Sequence, residues 1–246
     1  MKRSERHHLK ENEISGIVNQ TVAQISEHKA RFGMVAGIVA LVAVAGGGYW
    51  AWHTRSETRA HTMFGEALGI FQAPVQAPAA PTEGATPVQA PGTYPTLNAR
   101  AEAVLPKFME VADAYPSSAS GIAARYYAAS ALSLLGRGAD AAARFKDVED
   151  RAGADSFFGK MARLGTIDAQ VLAKQYDQAI TGAQALVSVT DDAYPRDAML
   201  MQLGRIYAAA GKTSQAKETF NKVLSDFPES LYADEAHQQI DALAKS

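Results

Sequence analysis

The chain has 246 residues, with 24 lysines plus arginines against 26 aspartates plus glutamates, six histidines and no cysteine. A formal net charge of -2 supplies no strong field to steer nucleic acid, so nucleic acid is not an expected partner. The lack of cysteine excludes disulfides, thiolate zinc sites and cysteine nucleophiles together.

Residues 1–31 read as a short leader that would lie in the cytoplasm. Ile14, Ile17, Val18, Val22 and Ile25 make one apolar stripe on a helix from Glu13 to His28, with Asn19, Gln20, Gln24 and Glu27 opposite. Such a helix suits the inner leaflet or a membrane partner, and a loosely helical leader serving only as a topology signal fits the same residues. His7 and His8 are not followed by ligands at metal-binding spacing.

From Phe32 to Trp52 runs FGMVAGIVALVAVAGGGYWAW, 21 residues without a charge. A bilayer core needs roughly 20, so residues 32–52 are expected to form a transmembrane helix, with Tyr49, Trp50 and Trp52 at headgroup level. Lys2, Arg3, Arg6, Lys10, Lys29 and Arg31 precede the span, whereas Arg55 and Arg59 follow it closely. The positive-inside tendency then places the N-terminus in the cytoplasm and the rest in the periplasm of a bacterial inner membrane. Ala43-Val44-Ala45 resembles a signal-peptide cleavage site, but the apolar run continues past it, which favours an uncleaved anchor. Gly33 with Gly37 and Ala36 with Ala40 have the spacing of a helix-dimer face, so a homodimer is a partner to consider.

Residues 53–72 continue as a membrane-proximal helix. Ala60, Met63, Phe64, Ala67, Leu68 and Phe71 form its apolar face, expected to pack on a helix around Val104 to Tyr115. Residues 73–96 then carry six of the ten prolines and no lysine or arginine. That composition favours an extended flexible insertion of up to about 75 Å, looping out between two helices of one pair. A plain linker fits better than a proline-recognition ligand, because the basic residues that orient such ligands are absent.

Residues 97–246 read as stacked helix pairs. At 197–230, Leu200, Leu203, Gly204 and Tyr207 share one helical face, and Ala216, Phe220 and Val223 form the facing stripe. Gly211 ends the first helix and Pro228 closes the second. These spacings resemble a tetratricopeptide repeat, with Leu200 where the family has tryptophan. Weaker copies precede it. Ala141 with Phe145, then Ala179 with Ala183, put the repeat alanines 38 and 37 residues apart, and Lys174 stands where the turn glycine belongs. FMEVADAYPSS mirrors FNKVLSDFPES, matching Phe108, Val111, Tyr115 and Pro116 with Phe220, Val223, Phe227 and Pro228. Pro106 falls inside the helix of that earlier copy and predicts a kink there. The expected fold is therefore all-α, a single N-terminal transmembrane helix followed by a tetratricopeptide-like α-solenoid of about three to four helix pairs.

No catalytic, cofactor or metal site is expected. AAAGKTS resembles the tail of a phosphate-binding loop, but Ile206 stands where its first glycine is required and a periodic helix, not a strand, precedes it. His237 is the only histidine in the repeat region, and no GxSxG or HExxH occurs. The repeat register directs Tyr126 and Ser130, Leu164 and Asp168, and Met201 and Arg205 toward the groove face. Tyr126, Ser130, Asp168, Met201 and Arg205 are the candidate partner-binding set, with packing against a neighbouring helix the favoured reading for Leu164 and Met201 and a solvent-facing position for Asp168 and Arg205.

The anchor from Phe32 to Trp52 with FMEVADAYPSS, ADAAARF and LGRIYAAAGKTSQAKETF resembles the YfgM-type ancillary subunits of the SecYEG translocon and the CpoB-like repeat proteins. DFPESLYADEA is also similar to outer-membrane assembly lipoproteins of the BamD type, but no lipobox cysteine is present. The resemblance implies a non-enzymatic periplasmic scaffold beside the secretion channel. Its partners would be translocon subunits, emerging polypeptides or periplasmic chaperones. A structural adaptor of a cell-division or outer-membrane assembly complex is the alternative.

Overall fold

A computed structural model describes residues 29–78, 88–189 and 191–245, so the amphipathic segment expected between Glu13 and His28 lies outside the described residues. Nine helices occur among them: α1 (Lys29–Phe71), α2 (Leu97–Ala114), α3 (Ala119–Leu134), α4 (Gly138–Ala152), α5 (Phe157–Leu172), α6 (Tyr176–Val187), α7 (Arg196–Ala209), α8 (Thr213–Asp226) and α9 (Ala233–Lys245). By backbone proximity the chain divides into two units, residues 1–55 and 56–246.

In the first unit, α1 leaves its apolar side chains uncovered. Leu41 is 72% and Val44 75% exposed, and Tyr49, Trp50 and Trp52 are similarly open. Tyr49 stacks on His53 with ring centroids 5.9 Å apart, one helical turn along. Among the described residues no helix is long and apolar enough to cross a membrane. The side chains of Phe32, Gly33 and Ala36 from the expected span fall outside those residues. Gly46, Gly47 and Gly48 also dilute the hydropathy of what remains.

The second unit is a stack of helix pairs. Phe64 and Phe71 of α1 press on Phe108 of α2, with centroids 6.0 and 5.9 Å apart, while Ala60 and Ala67 are buried. Then α3 packs with α4, α5 with α6 and α7 with α8, and α9 covers α8. Two apolar clusters fill the stack and meet at α5, whose Ala162 and Ala169 join the first and whose Ile167 joins the second. No pair could bury its own apolar face alone, so each neighbour is part of the core of the next.

The turns repeat with the helices. In the three turns inside a pair, Arg137 N–H donates to Leu132, Gln175 to Gln170 and Lys212 to Tyr207, at 2.9, 2.8 and 2.8 Å. Each closes around a left-handed residue: Gly136 and Gly211 at φ 73°, and Lys174 at φ 58°. A side chain in that conformation costs about 1–2 kcal/mol, so the middle turn is imposed by its neighbours. Between pairs a second motif recurs: Ser118, Ser156, Tyr194 and Ser230 each donate a backbone N–H to the residue three earlier. Ser118 and Ser156 then cap α3 and α5 by accepting from Gly121 and Gly159 N–H. A Cβ on either glycine would strike the carbonyl oxygen of Tyr115 or Gly153, which explains why glycine stands there.

Two details of the first pair go beyond the sequence expectations. Thr96 caps α2 by accepting from Ala99 N–H, and one helix runs from Leu97 to Ala114 with Pro106 inside it. Pro106 is exposed, so the Glu102 carbonyl that loses its helical donor faces water. At the base of the proline-rich segment, Tyr94 N–H donates to the Pro74 carbonyl at 3.0 Å and Gln76 N–H to the Tyr94 carbonyl at 2.9 Å. Arg100 reinforces the closure, donating to the Ala73 carbonyl at 2.8 Å with its guanidinium over the Phe71 ring. The chain thus leaves and returns at one point, as in an Ω-loop, while residues 79–87 lie outside the described residues.

Helix spacing follows from paired large and small residues. A Cβ on Gly204 would sit 2.4 Å from the Phe220 ring, whereas in the middle pair Gly182 faces Ile167 and the second helix has Ala183 at the phenylalanine register. The bulk has changed sides. Gly204→Ala is expected to cost about 1–3 kcal/mol in urea unfolding, because Phe220 is fully buried and cannot move aside. Lys174→Gly, by contrast, relieves the left-handed turn and is expected to raise stability by up to about 1 kcal/mol in the same assay.

Candidate functional site

The first helices of successive pairs, α3, α5 and α7, stand side by side with α9 at the end, and side-chain bonds cross from one to the next. Gln202 Nε2 on α7 donates to Asp168 Oδ1 on α5 at 2.7 Å. Arg205 on α7 grips Glu235 on α9, with Nη2 2.6 Å from each carboxylate oxygen and Nε 2.9 Å from Oε1. On α3, the half-buried Tyr126 ring lies against Phe145 and Phe158, with centroids 5.4 and 5.6 Å away. Ser130 donates its hydroxyl to the Tyr126 carbonyl at 3.1 Å.

This face contains four of the five candidate residues. Tyr126, Ser130, Asp168 and Arg205 are exposed or half-buried on the row of first helices. Met201 is different: at 0% exposure it belongs to the second apolar cluster and offers no surface to a partner. The register alone could not separate these outcomes, because helix α7 is enclosed where α6 and α8 meet it. Leu164, expected to pack, is half-buried against the same cluster.

Electrostatics single out Asp168. Its side chain reaches the surface, yet the helices around it strip enough water to raise its pKa above the usual carboxylate range, opposed by the Gln202 hydrogen bond. Among the described residues no lysine or arginine forms an ion pair with it. Burial raises the Tyr126 hydroxyl as well, and the nearby Asp168 charge adds to that rise.

The other prominent charges are committed to structure. Arg125, almost completely buried, donates to Asp147 at 2.5 Å and to the Ala112 carbonyl at 2.8 Å. Partial burial pushes Asp147 up, but the hydrogen bonds and charges of Arg151 and Arg125 prevail and hold it low. Lys212, from the GKT sequence, lies in the turn before α8 and donates to Asp177 at 2.8 Å. Among the described residues no group of three or more histidines and carboxylates is placed to hold a metal ion.

Two clefts open on the opposite side, where second helices meet first ones. One, of about 390 Å³, lies between α6, α7 and α8 beside Leu200, Tyr207 and Lys222. The other, of about 360 Å³, lies one repeat earlier between α4, α5 and α6 beside Arg163, Gln170 and Ala185. Leu200 with Arg163, Tyr207 with Gln170, and Lys222 with Ala185 are 37 residues apart, so the clefts are one architectural feature seen twice. The sequence reading missed them, since neither cleft follows from a single helix face.

Residues 197–230 match the family model for a tetratricopeptide repeat. Among solved structures, two forms of a putative kinesin light chain with nearly identical TPR-like repeats from Podosopora anserina are similar. A single-substitution form is 13% identical over 77% of this chain and 94% of that chain, with a TM-score of 0.52. The other form is 14% identical over 76% and 96%, with a TM-score of 0.51. MamA from Desulfovibrio magneticus RS-1 is 22% identical over 58% of this chain and 74% of that one, with a TM-score of 0.46. No curated protein matches the sequence. The match and the helix stack define the class: the second unit is a tetratricopeptide-like α-solenoid.

The Asp168 environment gives a pH signature. Because its folded pKa lies above the unfolded one, the native state gains stability as pH falls through the folded value and carries the desolvation cost at neutral pH. Carbon-detected NMR is expected to place its titration above that of exposed aspartates. Asp168→Asn is expected to flatten the corresponding part of the stability profile.

Proposed function

We propose that the protein is a membrane-anchored scaffold that binds protein partners on the row of first helices and performs no chemistry of its own. The observation that carries this is the continuous face across α3, α5, α7 and α9, where Tyr126, Ser130, Asp168 and Arg205 meet solvent above a filled apolar core. Helix pairs presented in this way create an extended surface whose residues vary without disturbing the packing beneath. The repeat match is consistent with a protein partner.

The anchor belongs to the same proposal. The uncharged stretch from Phe32 to Trp52 exposes Leu41, Val44, Trp50 and Trp52, a surface that lipid would cover at lower free energy than water. With the basic leader inside, residues 56–246 would lie in the periplasm of a bacterial inner membrane. The resemblance to translocon-associated subunits then favours a place beside the secretion channel, receiving emerging polypeptides or passing them to chaperones.

A photo-crosslinker at Ser130 or Arg205 of the full chain, activated in intact membranes, tests the partner. Translocon subunits and nascent secreted chains are the expected adducts. Reproducible adducts with cell-division or outer-membrane assembly proteins instead would replace this role with that of a structural adaptor. For topology, a reporter fused after Ser246 is expected to be active in the periplasm, and activity confined to the cytoplasm would overturn the orientation.

A further inference from the structure

Helix α5 presents a stripe that the candidate set only partly captures. Phe157, Met161, Leu164 and Asp168 follow one another at i, i+4, i+7 and i+11, which keeps all four within about 40° of one line along the helix. At the start of the stripe Phe157 is 71% and Met161 36% exposed, so two large apolar side chains adjoin on one face. The Phe157 ring meets Phe158 edge-on at 5.3 Å, and Phe158 in turn meets Tyr126. An aromatic chain therefore runs from the surface into the first apolar cluster, holding the exposed ring in place.

At the other end of the stripe stands the Asp168 carboxylate, with Gln202 as its hydrogen-bond donor and no ion-pair partner among the described residues. The same face thus offers a rigid apolar platform and an uncompensated anionic acceptor. Met161 and Asp168 are seven residues apart and Phe157 and Asp168 eleven, about 10 and 16 Å along a helix. An extended chain covers those distances in about three and five residues.

Building on the scaffold reading, we infer that the first-helix face accepts an extended polypeptide segment with a large apolar side chain and a lysine or arginine three to five residues away. The apolar group sits on Phe157 and Met161, and the cation reaches Asp168. The polypeptide is favoured over an anionic membrane surface because the polar end of the stripe is a carboxylate, which repels lipid phosphate. A cation placed there recovers a charge-assisted hydrogen bond in partly desolvated surroundings. Tyr126 borders the site and supplies a ring face along which the segment can lie.

Fluorescence anisotropy with the full chain in detergent tests this, using labelled peptides that pair leucine or phenylalanine with lysine at spacings of one to eight residues. Tightest binding at three to five is expected, with loss when the lysine is replaced by glutamate. Asp168→Asn, nearly isosteric and at the surface, should weaken the lysine peptide about tenfold, the size of one charge-assisted hydrogen bond, and narrow the gap to the glutamate peptide by relieving its repulsion. Asp168→Lys should reverse the preference. Phe157→Ser should weaken every peptide that binds while leaving the circular dichroism unaltered.

Spacing-independent binding, or indifference to charge at residue 168, overturns the inference. Phe157-dependent binding to neutral or anionic vesicles without peptide binding also overturns it, in favour of a lipid contact. The broader scaffold reading fails separately: crosslinks from Ser130 that survive Asp168→Lys unchanged leave it standing while this inference falls, whereas no protein adduct from any position on the face removes both.

Discussion

The Phe220 ring pressed on Gly204, with no space for a Cβ between them, sets how closely α7 and α8 approach. Leu200, Leu203 and Tyr207 reach the facing helices only at that separation, and Val223 and Ala216 complete the buried seam. The middle pair solves the same problem with Ile167 on the first helix and small residues opposite. Close packing requires complementary volumes at a crossing, not a particular residue on a particular side.

Because each pair borrows its neighbour to bury its apolar face, the solenoid is organised by local contacts repeated along the chain. The two recurring turns serve that repetition. One left-handed residue reverses the chain within a pair, and one backbone bond spanning three residues resets it between pairs. Where the sequence departs from the rule, the geometry persists. Lys174 adopts the glycine conformation, and Tyr194 fills the serine position by sinking its ring and donating its hydroxyl to the Lys160 carbonyl at 3.1 Å.

The surface is released from those demands and can carry function. Arg125 and Asp147 lie among the packed helices and spend their charge on cohesion, while Asp168 is held where no cation among the described residues neutralises it. Arg205 is intermediate, since its bidentate grip on Glu235 ties α7 to α9 and leaves the guanidinium partly engaged before any partner arrives. The face is therefore uneven: aromatic and thioether groups near the start of α5, an acidic acceptor further along, and a neutralised pair toward the C-terminal end.

Sequence periodicity by itself determined the class of fold, because Leu200, Tyr207, Ala216 and Phe220 repeat at a helical period, and that period specifies which side of each helix must be buried. It also located the clearest repeat at residues 197–230, which the family model matches. For the candidate face it nominated Tyr126, Ser130, Asp168 and Arg205, which lie at the surface of the first helices because exposed positions follow from register. Tertiary structure decided the rest. It enclosed Met201, carried α2 through Pro106, closed the ends of the proline-rich segment on each other, and left Phe157 exposed on the stripe that ends at Asp168. Those outcomes depend on which elements from distant parts of the chain come to rest against a residue, and a one-dimensional period contains no record of that.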